Sequence, residues 1–198
     1  MSPIVFVYVG IFIRKFIITS NISRCFIQMN AGIFNDKPQE NTVPSWLLPC
    51  TCNTQKCHCN ARLKPDILCV KGLPYEAPAP NHIDPNLTIQ FIEFKYGNDR
   101  FSQEAINTKI EKYQPLINDI KTLGWNIDPL IVIVAGARAT TFIPSMTSLE
   151  DNLNISIEKI KKTFTAINTI AIQYAMKILL TKRKLENNQI LPNVLDNT

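Results

Sequence analysis

Two short stretches of the chain carry charged residues within strand-like sequence. The first, residues 64–70, has Pro65-Asp66 in front of an uninterrupted apolar run. The second, residues 89–96, has Glu93 and Lys95 among apolar and aromatic residues. Because successive side chains of a strand point to opposite faces, Glu93 and Lys95 are predicted to lie on one face. An acid at the start of one strand, beside Glu-x-Lys on another, is suited to binding a divalent metal.

These residue types fit metal-dependent hydrolysis of a phosphodiester. The carboxylates of Asp66 and Glu93 would hold Mg²⁺ or Mn²⁺, which keeps several of its water ligands. The Lys95 ammonium would orient or help to deprotonate the attacking water, and it would offset negative charge on the phosphate. The alternative is a β-hairpin in which Glu93 and Lys95 form an ordinary pair of charges on an exposed face.

A cysteine cluster precedes the first stretch and could form a second metal site. It consists of Cys50, Cys52, Cys57 and Cys59, with His58 between the last two. Thiolate and neutral imidazole are the ligands that zinc prefers, but the Cys-x-Cys steps are closer than the usual zinc-finger spacing. Three interpretations stay open, namely a Zn²⁺ site, an ordered loop without metal, and disulfides. Nothing in the sequence indicates secretion, which disfavours disulfides.

An amphipathic helix is predicted over residues 102–123, and it brings further lysines towards the acids. Its apolar positions step by three and four, which is typical of a helix packed on a sheet. Lys109 falls on the apolar side of this helix and Lys112 falls at its edge. A lysine directed at a core needs a partner, and the nearest candidates are the carboxylates of Asp66 and Glu93. Lys109, and after it Lys112, is therefore a candidate site residue.

The remaining elements complete an α/β pattern. Residues 130–135 form an unbroken apolar run, which predicts a central strand covered on both faces. A second helical region is predicted from Pro144, with residues 148–151 resembling a capping box. Its apolar residues repeat by four and three from Leu153 to Ile178, which predicts one core-facing helix.

Length and charge set limits on the class of protein. A chain of 198 residues fits one domain of ordinary size, and a net charge of +5 permits a nucleic-acid partner without requiring one. The N-terminal apolar run is interrupted by Arg14-Lys15 at about half the length that spans a bilayer. It also lacks the features of a secretory signal, so we predict an intracellular protein without a membrane partner.

Four segments are predicted from changes in composition. Residues 1–49 form an apolar and irregular N-terminal segment, which could be the remnant of an upstream domain. Residues 50–61 form the cysteine-rich loop, and residues 62–185 form the unit that contains the strands and helices described above. Residues 186–198 form a C-terminal tail. Turn-forming residues without any period before residue 50 favour a boundary there.

The motifs in residues 62–185 resemble those of known nucleases. Pro65-Asp66 and Glu93-Phe94-Lys95 resemble the signature of the PD-(D/E)xK superfamily, which has the restriction-endonuclease-like fold. Further along the chain, the order of motifs is similar to the C-terminal restriction-like endonuclease domain of site-specific non-LTR retrotransposons. The segments that carry this resemblance are residues 93–100, 109–116, 123–125 and 132–138.

The resemblance implies an α/β fold with a central mixed sheet flanked by helices, and Mg²⁺-dependent nicking of DNA in the nucleus. Asp66 and Glu93 are the acids carried over by the resemblance, and Lys109 or Lys112 is the carried-over lysine. Lys95 matches the wider superfamily instead. DNA is the implied partner and element RNA a second one.

The chain also departs from this family. Its cysteine cluster is closer to the Pro-Asp motif and more tightly spaced than the family's, and these 198 residues do not include the reverse transcriptase that normally precedes the nuclease. Two alternative functions therefore stay open. One is a catalytically inactive relic that binds nucleic acid, and the other is an α/β interaction domain with no nucleic-acid partner.

Overall fold

The computed structural model describes residues 25–29, 43–52, 58–73, 77–97, 101–136 and 142–190. The strands are β1 (Cys25–Met29), β2 (Ile67–Lys71), β3 (Thr88–Gly97), β4 (Asn126–Ile127) and β5 (Ile131–Gly136). The helices are α1 (Ser102–Thr122), α2 (Ile143–Leu153) and α3 (Ile157–Ile190), and a short 3₁₀ helix spans Asn60–Arg62.

The five strands form one mixed sheet with β3 at its centre. β1, β2 and β3 pair antiparallel in that order, while β4 and β5 both pair with β3 in the parallel sense. The predicted α/β class and mixed sheet are therefore confirmed. β5 is covered on both faces, as its apolar run predicts. Within the described residues, however, it pairs with β3 alone, so it lies beside β3 and not between two strands.

Helices cover both faces of the sheet, so the molecule has three layers. The alternation of β3 decides which side chains meet which helix. On one face, the strand residues that pack with α1 and Trp125 are Leu68, Val70, Ile89, Phe91, Val132 and Val134. On the other face, the strand residues that pack with α2 and α3 are Ile67, Ile92, Phe94, Ile131 and Ile133.

Helix α1 follows its predicted bounds closely. Its buried residues are Ile106, Tyr113, Leu116, Ile117 and Ile120. The helix continues through Pro115, which is exposed, so the missing N–H of that residue falls on the solvent side. Gly124 follows the C-cap with φ at +99°, a left-handed conformation that suits glycine at the end of a helix.

The second helical region consists of two helices, where the sequence predicted one. Asn154 adopts a left-handed conformation with φ at +51° and separates α2 from α3. The predicted capping box at residues 148–151 therefore lies inside α2 and starts no helix. Of the predicted stripe, Ile160 and Phe164 are buried but Ile178 is half exposed. The side chains of residues 167, 171 and 174 lie outside those described.

Parts of the predicted N-terminal segment pack with the rest of the chain. β1 pairs with β2, and Val43 and Leu47 are buried in the same core as α1. Residues 1–24 and 30–42, and the tail beyond residue 190, lie outside the described residues. Cys69 is buried in β2 and is disulfide-bonded. Among the described helices, none combines the length and apolar character needed to cross a membrane.

Candidate functional site

The pairing of β2 with β3 brings two acids together. In this antiparallel register Ile67 faces Ile92 and Leu68 faces Phe91. One step further along the same register, Asp66 stands opposite Glu93. Residues opposite each other in an antiparallel pair have Cβ atoms about 5 Å apart, so the two carboxyl groups share one face of the sheet. This is the face covered by α1.

Hydrogen bonds hold the two acids in place. The backbone N–H of Asp66 donates to Glu93 Oε2 at 3.1 Å, and the backbone N–H of Phe94 donates to Asp66 Oδ2 at 2.7 Å. Each acid is thus tied to the other strand by a main-chain donor. Pro65 is buried directly before Asp66, and it is compatible with this position because it stands ahead of the first ladder residue of β2.

Helix α1 adds a lysine and a tyrosine to the same face. The Lys109 ammonium forms an ion pair with Glu93 Oε1, and both side chains are largely buried. Tyr113 lies four residues later on the same side of the helix, and its hydroxyl lies 3.0 Å from Glu93 Oε2 and 2.9 Å from the Lys64 carbonyl oxygen. A hydroxyl has one proton, so Tyr113 donates to one of these oxygens at a time.

The other predicted lysines lie further from the acids. Lys95 follows Glu93 on the same face of β3 but is exposed, and no contact joins it to Asp66 or Glu93 within the described part of the chain. Lys112 is also exposed, and its ammonium donates to the Tyr113 hydroxyl at 3.2 Å and lies 4.6 Å from the centre of that ring. Lys109 is therefore the lysine that the fold places on a carboxylate.

Burial changes the proton affinity of the site. Two main effects raise the pKa of Asp66 from 3.8 to about 6, of which burial is the larger and the charge of Glu93 the second. The hydrogen bond from the Phe94 N–H and the charge of Lys109 act in the opposite direction. Burial and the nearby Glu93 also raise the pKa of Tyr113, so its hydroxyl stays protonated and available as a donor. A buried acid that is costly to ionise gains from any cation placed beside it.

Replacement of Asp66 by Asn should make folding less dependent on pH. A pKa that is higher in the folded state means that ionisation of Asp66 destabilises the fold, by up to about 3 kcal/mol for the rise to about 6. This loss of stability is small at low pH, grows as the pH passes from about 4 to about 6, and reaches its full size above that. Asp66→Asn keeps an acceptor for the Phe94 N–H and removes the ionisation.

We therefore expect Asp66→Asn to be more stable than the unmutated protein at pH 8, with the difference shrinking towards pH 4. Urea unfolding across this range, without added divalent ions, measures it. Asp151→Asn, which makes the same charge change on the exposed side of α2, is the control. Equal stability of Asp66→Asn and the unmutated protein at pH 8 would contradict the expected burial cost.

Tyr113 was missed as a site residue by reasoning from sequence. Its place in the stripe of apolar residues marked it as core, and it is indeed almost fully buried. A buried tyrosine hydroxyl usually needs a polar partner, and its spacing of four residues from Lys109 puts both on one helix face. That pairing was the available signal.

The described part of the cysteine cluster could hold a metal ion. Ligand atoms of Cys50, Cys52 and Cys59 all lie within 4.8 Å of one another. The Cys50 and Cys59 sulfurs are 3.6 Å apart, too far for a disulfide, whose sulfurs are about 2.05 Å apart. The backbone N–H of His58 donates to the Cys52 sulfur at 3.3 Å. The fourth predicted ligand, Cys57, lies outside the described residues.

The ends of the cysteine loop are fixed to the core. The backbone N–H of Val43 donates to the Ala61 carbonyl at 2.7 Å, and both residues are buried. The 3₁₀ helix begins directly after Cys59, and the Asn60 amide donates to the Asp119 carboxylate of α1 at 2.8 Å. The chain on either side of the cluster is thus anchored to the core.

Comparison with known proteins adds no relative to this picture. No protein-family model, no curated protein and no solved structure matches the chain. The function of the chain is therefore inferred from the geometry of the site and from the motif order in the sequence.

Proposed function

We propose that this protein is a metal-dependent DNA endonuclease that nicks DNA by hydrolysis of a phosphodiester bond. The observation that carries the proposal is the placement of Asp66 opposite Glu93 on one sheet face, with the Lys109 ammonium on the Glu93 carboxylate. Two acids that can hold a divalent cation, with a lysine on one of them, suit such a hydrolysis. The restriction-endonuclease-like fold, with an origin in a retrotransposon, is part of the proposal.

The residues fit a hard divalent cation. Mg²⁺ commonly takes one or two carboxylates from a protein and keeps waters for its other positions, and Asp66 and Glu93 supply that number. The raised pKa of Asp66 gives a physical reason for this carboxyl to favour a bound cation. When bound, Mg²⁺ or Mn²⁺ would polarise the phosphate and lower the pKa of a bound water.

The chain's own residues have separate tasks in this proposal. Asp66 and Glu93 hold the cation, and the Asp66 and Phe94 N–H groups fix the orientation of both carboxylates. Lys109 offsets negative charge that develops on the phosphate. The exposed Lys95 and Lys112 flank the acids and would contact neighbouring phosphates of the DNA backbone.

Two measurements on the unmutated protein test the proposal. A supercoiled plasmid should be converted to its nicked form in Mg²⁺ or Mn²⁺, and EDTA should stop the conversion. Binding to a DNA duplex should weaken steeply with salt, because phosphate contacts release counterions. Steep salt dependence of DNA binding, without nicking in either metal, would indicate a catalytically inactive relic that binds nucleic acid. Absence of both would leave an α/β interaction domain.

We also propose that the cysteine cluster binds Zn²⁺. Zinc–thiolate bonds of about 2.3 Å in a tetrahedron place sulfurs about 3.8 Å apart, close to the 3.6 Å between the Cys50 and Cys59 sulfurs. Cys52 supplies a third thiolate within the same small volume. Cys57 is the candidate for the fourth ligand, from its position in the sequence.

The purified protein should carry about one equivalent of zinc, since a closed structural site binds a single ion. Removal of this zinc should loosen residues 45–62 and leave the helical core folded, because the cores on both faces of the sheet form largely without the loop. Metal analysis and hydrogen exchange before and after chelation measure both effects. His82→Ala, which removes an exposed imidazole outside the cluster, should not change the zinc content. Protein without zinc after expression in zinc-replete medium would leave the metal-free loop.

A further inference from the structure

The two oxygens of the Glu93 carboxylate have different surroundings. Oε2 accepts the backbone N–H of Asp66 at 3.1 Å and lies 3.0 Å from the Tyr113 hydroxyl. Both of these groups are fixed by the fold, because one belongs to the strand pair and the other to a residue that is 1% exposed in α1. Oε1 instead pairs with the ammonium of Lys109.

These surroundings decide which oxygen can change its partner. A new ligand on Oε2 would have to displace a main-chain donor, and so would shift β2 against β3. A new ligand on Oε1 has only to displace an ammonium at the end of a four-carbon side chain with several rotatable bonds. The Lys109 side chain is 18% exposed, so it borders solvent and can turn outward. Oε1 is therefore the oxygen that an incoming cation can take.

We propose that Lys109 occupies the cation position of the site when no metal is bound, and that it competes with the divalent cation for Glu93 Oε1. This inference rests on the proposed function and concerns the regulation of the same site. The displaced ammonium remains next to the acids, where a phosphate of the substrate is its natural new partner. Metal binding and DNA binding should then support each other. The metal releases the Lys109 ammonium for a phosphate, and a phosphate bound to that ammonium leaves Glu93 Oε1 open to the metal.

Direct binding of Mn²⁺ in the absence of DNA tests the competition. The variants are Lys109→Gln, which keeps a neutral donor, and Lys109→Met, which keeps most of the length of the side chain without any donor. Free Mn²⁺ is measured by electron paramagnetic resonance during a titration, and circular dichroism verifies folding. The part of the binding that Glu93→Gln removes is assigned to the site, which excludes ions held elsewhere on the protein.

We expect both Lys109 variants to bind Mn²⁺ at least about tenfold more tightly than the unmutated protein, a typical size for coupling between competing ligands. The control is Lys121→Gln, which removes the same charge from the exposed last turn of α1, about 18 Å along the helix. Its Mn²⁺ affinity should stay within about twofold, since charges that far apart are largely screened.

The outcomes separate this inference from the function on which it rests. Unchanged or weaker Mn²⁺ binding by both Lys109 variants, in a protein that nicks DNA, overturns the competition alone. Absence of any Mn²⁺ binding that Glu93→Gln removes overturns both. Tighter Mn²⁺ binding by the Lys109 variants, in a protein that fails to nick DNA, supports the competition but excludes the proposed hydrolysis.

Discussion

Glu93→Gln should abolish the nicking of plasmid DNA in Mg²⁺ while leaving DNA binding intact. The substitution keeps the size of the side chain but removes the negative charge that the cation and Lys109 share. Loss of a single preorganised electrostatic group commonly costs about 100- to 1000-fold in rate, and loss of one of two metal-binding carboxylates should exceed this. The affinity for DNA should stay the same or rise slightly, because a negative charge near the phosphates is removed.

The control for Glu93→Gln is Glu111→Gln, which makes the same change on the exposed side of α1. The Glu93 variant also leaves Lys109 without its counter-ion in a largely buried place, which is destabilising. Circular dichroism at the assay temperature therefore accompanies the activity measurement. A folded Glu93→Gln protein that nicks DNA at more than about a tenth of the normal rate would rule out Glu93 as a metal ligand.

The position of each acid on its own strand could be predicted because it depends on short-range rules. An apolar run entered through Pro65-Asp66 predicts a strand that starts after the acid, and strand alternation puts Glu93 on a defined face. The antiparallel register that sets Asp66 opposite Glu93 is a tertiary feature. This register was predicted from the family resemblance and from the hypothesis of one shared site. The sequence of either strand alone does not specify it.

The choice of lysine could not be predicted from periodicity. Alternation puts Lys95 on the same face as Glu93, and the helical wheel puts Lys109 on the apolar side of α1, so both patterns favour a site lysine. What separates them is how far each element extends. β2 begins at Ile67, so the register partner of Lys95 precedes the strand and Lys95 stays exposed, whereas α1 lies across the face and carries Lys109 onto Glu93.

The break between α2 and α3 shows a different limit. The apolar residues keep their spacing across Asn154, because a single left-handed residue turns the chain without disturbing the sequence pattern. Ser148 resembled an N-cap, but a capping motif carries information only where a helix starts, and here α2 begins five residues earlier. Periodicity predicts which face is buried and says little about where a helix is interrupted.

Lys109→Ala should slow nicking by about 100- to 1000-fold, the range for loss of one preorganised charge at the reacting group. Lys95→Ala should slow it by less than about tenfold, because an exposed lysine that contacts only neighbouring phosphates affects binding more than chemistry. The two substitutions remove the same charge, so each is the control for the other. The difference should appear in the rate at saturating DNA and metal.

The salt dependence of DNA binding separates the two roles further. A lysine that contacts a phosphate of bound DNA contributes about 0.9 to the slope of log affinity against log salt concentration. Lys95→Ala should lose about that amount if it makes such a contact. In the metal-free protein Lys109→Ala should change the slope little, because its ammonium is already paired with Glu93.

Should Lys95→Ala instead reduce the saturated rate more than Lys109→Ala, Lys95, which is the lysine of the wider superfamily, would supply the catalytic charge. The Lys109–Glu93 pair would then be structural, since an ion pair that supports only the fold has no reason to affect the rate of a protein that remains folded.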